Sequence, residues 1–165
     1  MPEVFRYALV SVPAQLRAAR VAELVKKAAA EWNRAMKGLV YIEHNHALAD
    51  IFIEFGQVNR IKDAGRIAEC QRHKLPGKPP YWRIILARDV AWSDARWYEF
   101  WRGGNESVLA AITHEFGHVF LNDPDKPGWH SERAGDVMHP MCLNHLIAED
   151  EAKMYRKRYR EITHI

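Results

Sequence analysis

The segment running through Val108, Ile112, Phe116, Val119 and Phe120 constrains this chain most, because it is apolar on most sides of a helical wheel, the pattern of a helix at the centre of a domain. Gly103-Gly104-Asn105 punctuates its start, and Pro124 and Pro127 forbid its continuation, so residues 122–129 form a loop. On this helix stands His114-Glu115-Phe116-Gly117-His118. Histidines at this spacing lie about one turn apart on the same face and reach one ion together. Zinc binds imidazole nitrogen at about 2.0–2.1 Å, and two ligands from one rigid helix lose little entropy in closing round it. Glu115 lies about 100° further round the wheel from His114. It therefore stands beside a water on the metal, placed to take a proton from it as a general base.

The remaining periodicities supply a frame. Ser11-Val12-Pro13 opens a first helix with a capping hydroxyl and a first-turn proline; Leu16, Val21, Leu24, Val25, Ala28, Trp32 and Met36 continue it, and Gly38 stops it. Leu39 to Glu43 and Asp50 to Phe55 read as strands, Ala64 to Gln71 as a further strand, and Trp82 to Ala87 as a buried one after the loop forced by Pro76-Gly77-Lys78-Pro79-Pro80. A third helix is expected from about His145 to Tyr159, with the basic stretch Lys153 to Arg160 as its solvated face. A helix, several strands and two further helices in one chain of 165 residues predict one α+β domain spanning residues 1–165.

Charge and composition exclude several classes. Lys and Arg number 24 against 21 acidic residues, and the resulting +3 is too weak and dispersed for a nucleic-acid partner. No apolar run approaches a bilayer span, so no membrane association is expected. The N-terminus lacks a secretion signal, which implies a cytoplasmic protein or a mature domain without its leader. Cys70 and Cys142 permit one bridge that spacing alone does not establish. His44-Asn45-His46 reads as a loop between strands, and Trp92, Trp97 and Trp101 read as packing residues ahead of the metal helix.

Downstream of the helix, His130-Ser131 is followed by Gly135, Val137, Met138, His139 and Pro140. Together with His114-Glu115-Phe116-Gly117-His118, this resembles the matrixin branch of the metzincin peptidases, whose HExxHxxGxxH motif precedes a turn containing methionine. Ala30-Glu31-Trp32-Asn33 resembles the end of that family's first helix, and Ala49-Asp50-Ile51-Phe52-Ile53-Glu54-Phe55 its Ala-Asp-Ile-x-Ile-x-Phe strand. The resemblance implies a small metzincin-like domain with a mixed, twisted sheet, three helices and a Met-turn. It implies a zinc endopeptidase that works as a monomer on protein or peptide substrates. His114, His118 and His130 would be the zinc ligands, Glu115 the general base and Met138 the apolar floor beneath the ion. Gly65, Arg66, Ile67 and Ala68 would lie on the edge strand that takes an extended substrate.

The sequence also departs from the family. The step from His118 to His130 is longer, Leu121 stands at the glycine position after the helix, and Asn122 is expected to make the left-handed turn instead. His139 replaces a tyrosine. The stretch from Gln57 to Gly65 is too short for the family's structural zinc and calcium loop, so only the one catalytic zinc is expected. For the third ligand, His130, Asp123, Asp125 and His139 are the candidates, and Glu149 would serve in a different HExxH class. A zinc-stabilised binding module that cleaves nothing is the non-enzymatic alternative.

Overall fold

A computed structural model of the chain describes residues 1–61, 65–94, 106–123, 128–140 and 144–165. Its elements are β1 (Glu3–Leu9), α1 (Ala18–Met36), β2 (Val40–His44), β3 (Ile51–Gly56), β4 (Ala68–His73), β5 (Tyr81–Ala87), β6 (Trp92–Ser93), β7 (Glu106–Ser107), α2 (Val108–Leu121) and α3 (Glu149–Thr163). The fold is α+β. Five strands form one sheet in the order β2-β1-β3-β5-β4, in which β4 alone runs antiparallel and lies on the edge beside β5. Among the described residues no helix is long and apolar enough to cross a membrane.

Alternation decides which face of the sheet is covered. Ile51, Ile53 and Phe55 of β3 join Phe5 and Tyr7 of β1 in the main core, while Glu54 points the other way and pairs with Arg83 of β5. β1 is an addition to the sequence reading, which assigned no strand before Ser11, and it sits near the middle of the sheet between β2 and β3.

α1 begins at Ala18 and not at Ser11. Pro13 instead opens a turn closed by the Leu16 N–H on the Pro13 carbonyl at 3.0 Å. The helix start is fixed from a distance, because the Asp94 carboxylate accepts the Arg17 N–H at 2.9 Å from 77 positions along the chain. At the other end Lys37 and Gly38 take φ of 46° and 80°, the left-handed exit that glycine makes inexpensive. Val21, Leu24, Val25, Ala28, Trp32, Ala35 and Met36 form the buried stripe that packs on α2 and the sheet.

α3 likewise starts later than expected, at Glu149. Its basic stretch is only partly a solvated face. Arg156 is buried and donates to the Ala35 carbonyl at 2.5 Å, and Arg158 donates to the Leu121 carbonyl at 2.8 Å. Two arginines of α3 thus satisfy carbonyls in the last turns of α1 and α2, groups a helix cannot satisfy itself. Of the residues singled out from the sequence, Trp97, Trp101, Gly103-Gly104-Asn105, Pro124, Asp125, Pro127 and Cys142 lie outside the described residues. Trp92 is buried, with its indole donating to the Ala87 carbonyl at 2.7 Å, and His44-Asn45-His46 closes β2 and enters a loop.

Candidate metal centre

Ser107 caps α2 by accepting the Ala110 N–H at 3.2 Å, which leaves His114 to His118 in the second half of a helix buried almost all round. Gly117 has a steric role. A Cβ at that position would meet Met138 Sδ at 2.1 Å and Trp32 Cζ2 at 2.9 Å, so the glycine lets the fully buried Met138 thioether lie directly under the helix turn that carries both histidines. The Trp32 indole is itself anchored on that helix, donating to the Thr113 carbonyl at 2.7 Å.

The structure brings His114, His118 and His130 together, with their ligand atoms all within 4.8 Å of one another. The Nε2 atoms of His114 and His118 stand 3.1 Å apart. Two ligands held at about 2.0–2.1 Å on a tetrahedral zinc are about 3.3 Å apart, so the pair is spaced for one ion. The hydrogen bonds on the far side of the rings assign their tautomers. His114 Nδ1 lies 2.7 Å from the Val137 carbonyl, which can only accept, so Nδ1 donates to it. Asn122 Oδ1 accepts the Trp129 N–H at 3.0 Å, so it is an oxygen, and His118 Nδ1 at 3.2 Å donates to it as well. The His130 ring bonds the backbone of Gly128. For His114 and His118 the Nε2 lone pair is thereby turned inward, the arrangement that orients metal-binding histidines.

Electrostatics favour the neutral ligand forms. Burial pushes His114 down to about 4 and His118 down to about 3, with neighbouring histidines adding to the effect, and burial also lowers His130. All three are uncharged at neutral pH and free to bind a cation. Glu115 behaves in the opposite sense. Burial raises it to about 8, with Arg66 partly opposing and Glu69 adding to the shift, and its Oε2 is buried with no hydrogen-bond partner among the described residues. An unpartnered carboxylate oxygen in a dry site is costly unless a bound group completes it. The three-histidine set and this orphaned oxygen together fit a divalent metal.

The other candidates are placed elsewhere. Glu149 is held by Lys37 at 2.8 Å and Arg156 at 2.9 Å, and neither Asp123 nor His139 belongs to the converging group. Asn122 does not take the left-handed turn expected of it: its φ and ψ are −79° and 128°, and the helix ends in extended backbone while the side chain orients His118. Gly65, Arg66 and Ile67 precede β4, and Ala68 is its first residue. Arg66 reaches Glu69 at 3.2 Å. Of residues 140–144, which follow Met138 and His139, only Pro140 and Asn144 are described. Sequence reasoning missed Gly117 and Asn122 as parts of the site; the short spacing of Asn122 after His118, one further helical turn, was the available signal. Comparison with protein-family models and with curated proteins returns no match for this chain.

Proposed function

We propose that the protein is a zinc-dependent endopeptidase of the matrixin-like metzincin type, acting as a monomer on peptide or protein substrates. The observation that carries this reading is the convergence of three neutral histidines beside the buried, unpartnered Oε2 of Glu115. A purely structural zinc site has no use for such a carboxylate. His114, His118 and His130 would hold the ion, and Met138, packed against Gly117, would form the floor of the site as the family's methionine turn does. Zinc, when bound, supplies Lewis acidity that polarises a peptide carbonyl and acidifies a water. In that role Glu115 Oε2 would take the proton of the attacking water and deliver it to the leaving amine. The edge strand β4, lying against α2, offers main-chain groups to an extended substrate.

The test is Glu115→Gln, assayed for zinc content and for cleavage of a diverse peptide library with and without chelator. The variant keeps about one zinc per chain and loses turnover by about 10²–10⁴-fold, the usual worth of a positioned acid–base group. Parental cleavage by the variant, or chelator-insensitive cleavage by the parent, would overturn the reading.

A further inference from the structure

We infer that Glu151 and Tyr155 of α3 are positioning residues for the ligand His114, acting through the single peptide unit between Val137 and Met138. The inference rests on the zinc reading above for its consequence, although the geometry stands without it. The His114 Nδ1–H donates to the Val137 carbonyl at 2.7 Å. The N–H at the other end of that same peptide plane, on Met138, donates to the Tyr155 hydroxyl oxygen at 3.0 Å. The hydroxyl in turn donates to Glu151 Oε1 at 2.5 Å. Glu151 Oε1 also accepts the Val137 N–H at 2.5 Å, and Oε2 accepts the Ala148 N–H at 3.2 Å. Every donor in this chain points the same way, from imidazole to carboxylate.

Two physical effects follow from this order. First, the peptide plane is clamped at both edges, so its carbonyl cannot rotate away from His114. Val137, Met138 and Tyr155 are each 0% exposed and Glu151 is 2% exposed, so water does not compete for any of these groups. Second, hydrogen bonds in series polarise one another at low dielectric, so a carboxylate two hydrogen bonds beyond this peptide strengthens the acceptor that His114 meets. The result is a carboxylate–histidine pair of the kind that fixes ring orientation and raises ligand basicity at metal sites, relayed through a phenol and a backbone amide. Tyr155 is held for this task by its ring contacts with Trp32 at 5.2 Å and Trp129 at 6.1 Å. The same turn also carries the third ligand's neighbour, because the Ser131 N–H donates to the Met138 carbonyl at 2.9 Å.

Tyr159 gives the control. It lies one turn further along α3, and its hydroxyl donates to Glu3 Oε2 at 2.6 Å, away from the site. Tyr155→Phe and Tyr159→Phe therefore make the same chemical change on one helix. Zinc affinity is read against a competing chelator, and the His114 Nδ1–H is observed in chelator-treated, ¹⁵N-labelled protein as a slowly exchanging ring resonance. Tyr155→Phe weakens zinc about 10–100-fold, the range found when an outer partner of a metal-bound histidine is removed, and loses the His114 resonance to exchange. Tyr159→Phe leaves both unchanged. Glu151→Gln follows Tyr155→Phe, so failure of either variant to fold leaves the other to decide. Parental zinc affinity, or a retained His114 resonance, in the folded variant overturns the inference. A parent that takes up no zinc refutes the metal reading alone, since the resonance still reports whether α3 holds the ring.

Discussion

Gly117 stands between the two helix histidines with Met138 Sδ and Trp32 Cζ2 in the space a side chain would need. Helix propensity alone favours alanine there by about 0.5–1 kcal/mol, so the sign of Gly117→Ala measures whether packing outweighs propensity. Both neighbours are fully buried, and Trp32 is further held by its bond to Thr113, which leaves little room to yield. Gly117→Ala is expected to lower stability by about 1–3 kcal/mol, the usual cost of overpacking. Met138→Ala alone costs about 2–5 kcal/mol for its cavity, and the double variant costs less than the sum because the new methyl enters the space vacated by the thioether. Denaturant midpoints of the three variants check this. A midpoint for Gly117→Ala equal to the parent's would show that the thioether moves aside freely. His114, Glu115 and His118 were legible from spacing within one helix; the role of Gly117 was not, because its partner arrives from another segment of the chain.

The register of β4 determines which of its residues an incoming peptide can use. The Ala87 N–H donates to the Ile67 carbonyl at 2.8 Å, and the pairs that follow are Ala68 with Leu86, Glu69 with Ile85 and Cys70 with Ile84. In an antiparallel ladder bonded pairs alternate with open ones, so Ile67, Glu69 and Gln71 turn their main-chain groups toward β5, while Ala68, Cys70 and Arg72 turn theirs toward the outer edge. Ala68→Pro therefore removes an outward donor and breaks no ladder bond, a place where sheets tolerate proline. Its expected effect is a KM for peptides raised about three- to tenfold, one net hydrogen bond, with zinc content and melting temperature near the parent's. Unchanged KM in the folded variant would place the substrate elsewhere. At this scale the sequence was most informative where one residue type repeats with a clear period: Ile51, Ile53 and Phe55 marked β3, and Val21 to Met36 marked most of α1. It was least informative where a boundary or a strand is decided by distant partners. Asp94 rather than Ser11 fixes the start of α1, and β1 alternates only briefly, through Phe5, Arg6 and Tyr7, its central place being set by β2 and β3 on either side.

Across the whole molecule, the helices and one face of the sheet enclose a large core in which Trp32 meets Phe120 edge-to-face and Tyr155 at a tilt, between α1, α2 and α3. That core packs α2 against α1, α3 and the sheet, so the chelator-treated protein is expected to stay folded, and its stability then reports the site's own charges. The histidines and Glu115 act on it in opposite directions. His114 and His118 fall from 6.5 to about 4 and about 3, so below pH 6.5 the unfolded chain takes up protons that the folded chain refuses, and stability is lost as pH falls. Glu115 rises from 4.5 to about 8, so between these values the folded chain keeps a proton that the unfolded chain has released, and stability is lost as pH rises. The parent without metal is therefore most stable near pH 6.5 and weakens on both sides, the alkaline limb from there to about pH 8 amounting to about 2 kcal/mol at about 1.4 kcal/mol per pK unit. Glu115→Gln removes the ionisable group and should leave only the acid limb, its stability levelling off above pH 6.5 where the parent declines. Thermal melts in chelator at pH 5, 6.5 and 8 distinguish the two profiles. Persistence of the alkaline decline in Glu115→Gln would mean that another group carries it, and that Glu115 is not the proton-holding acid of the site.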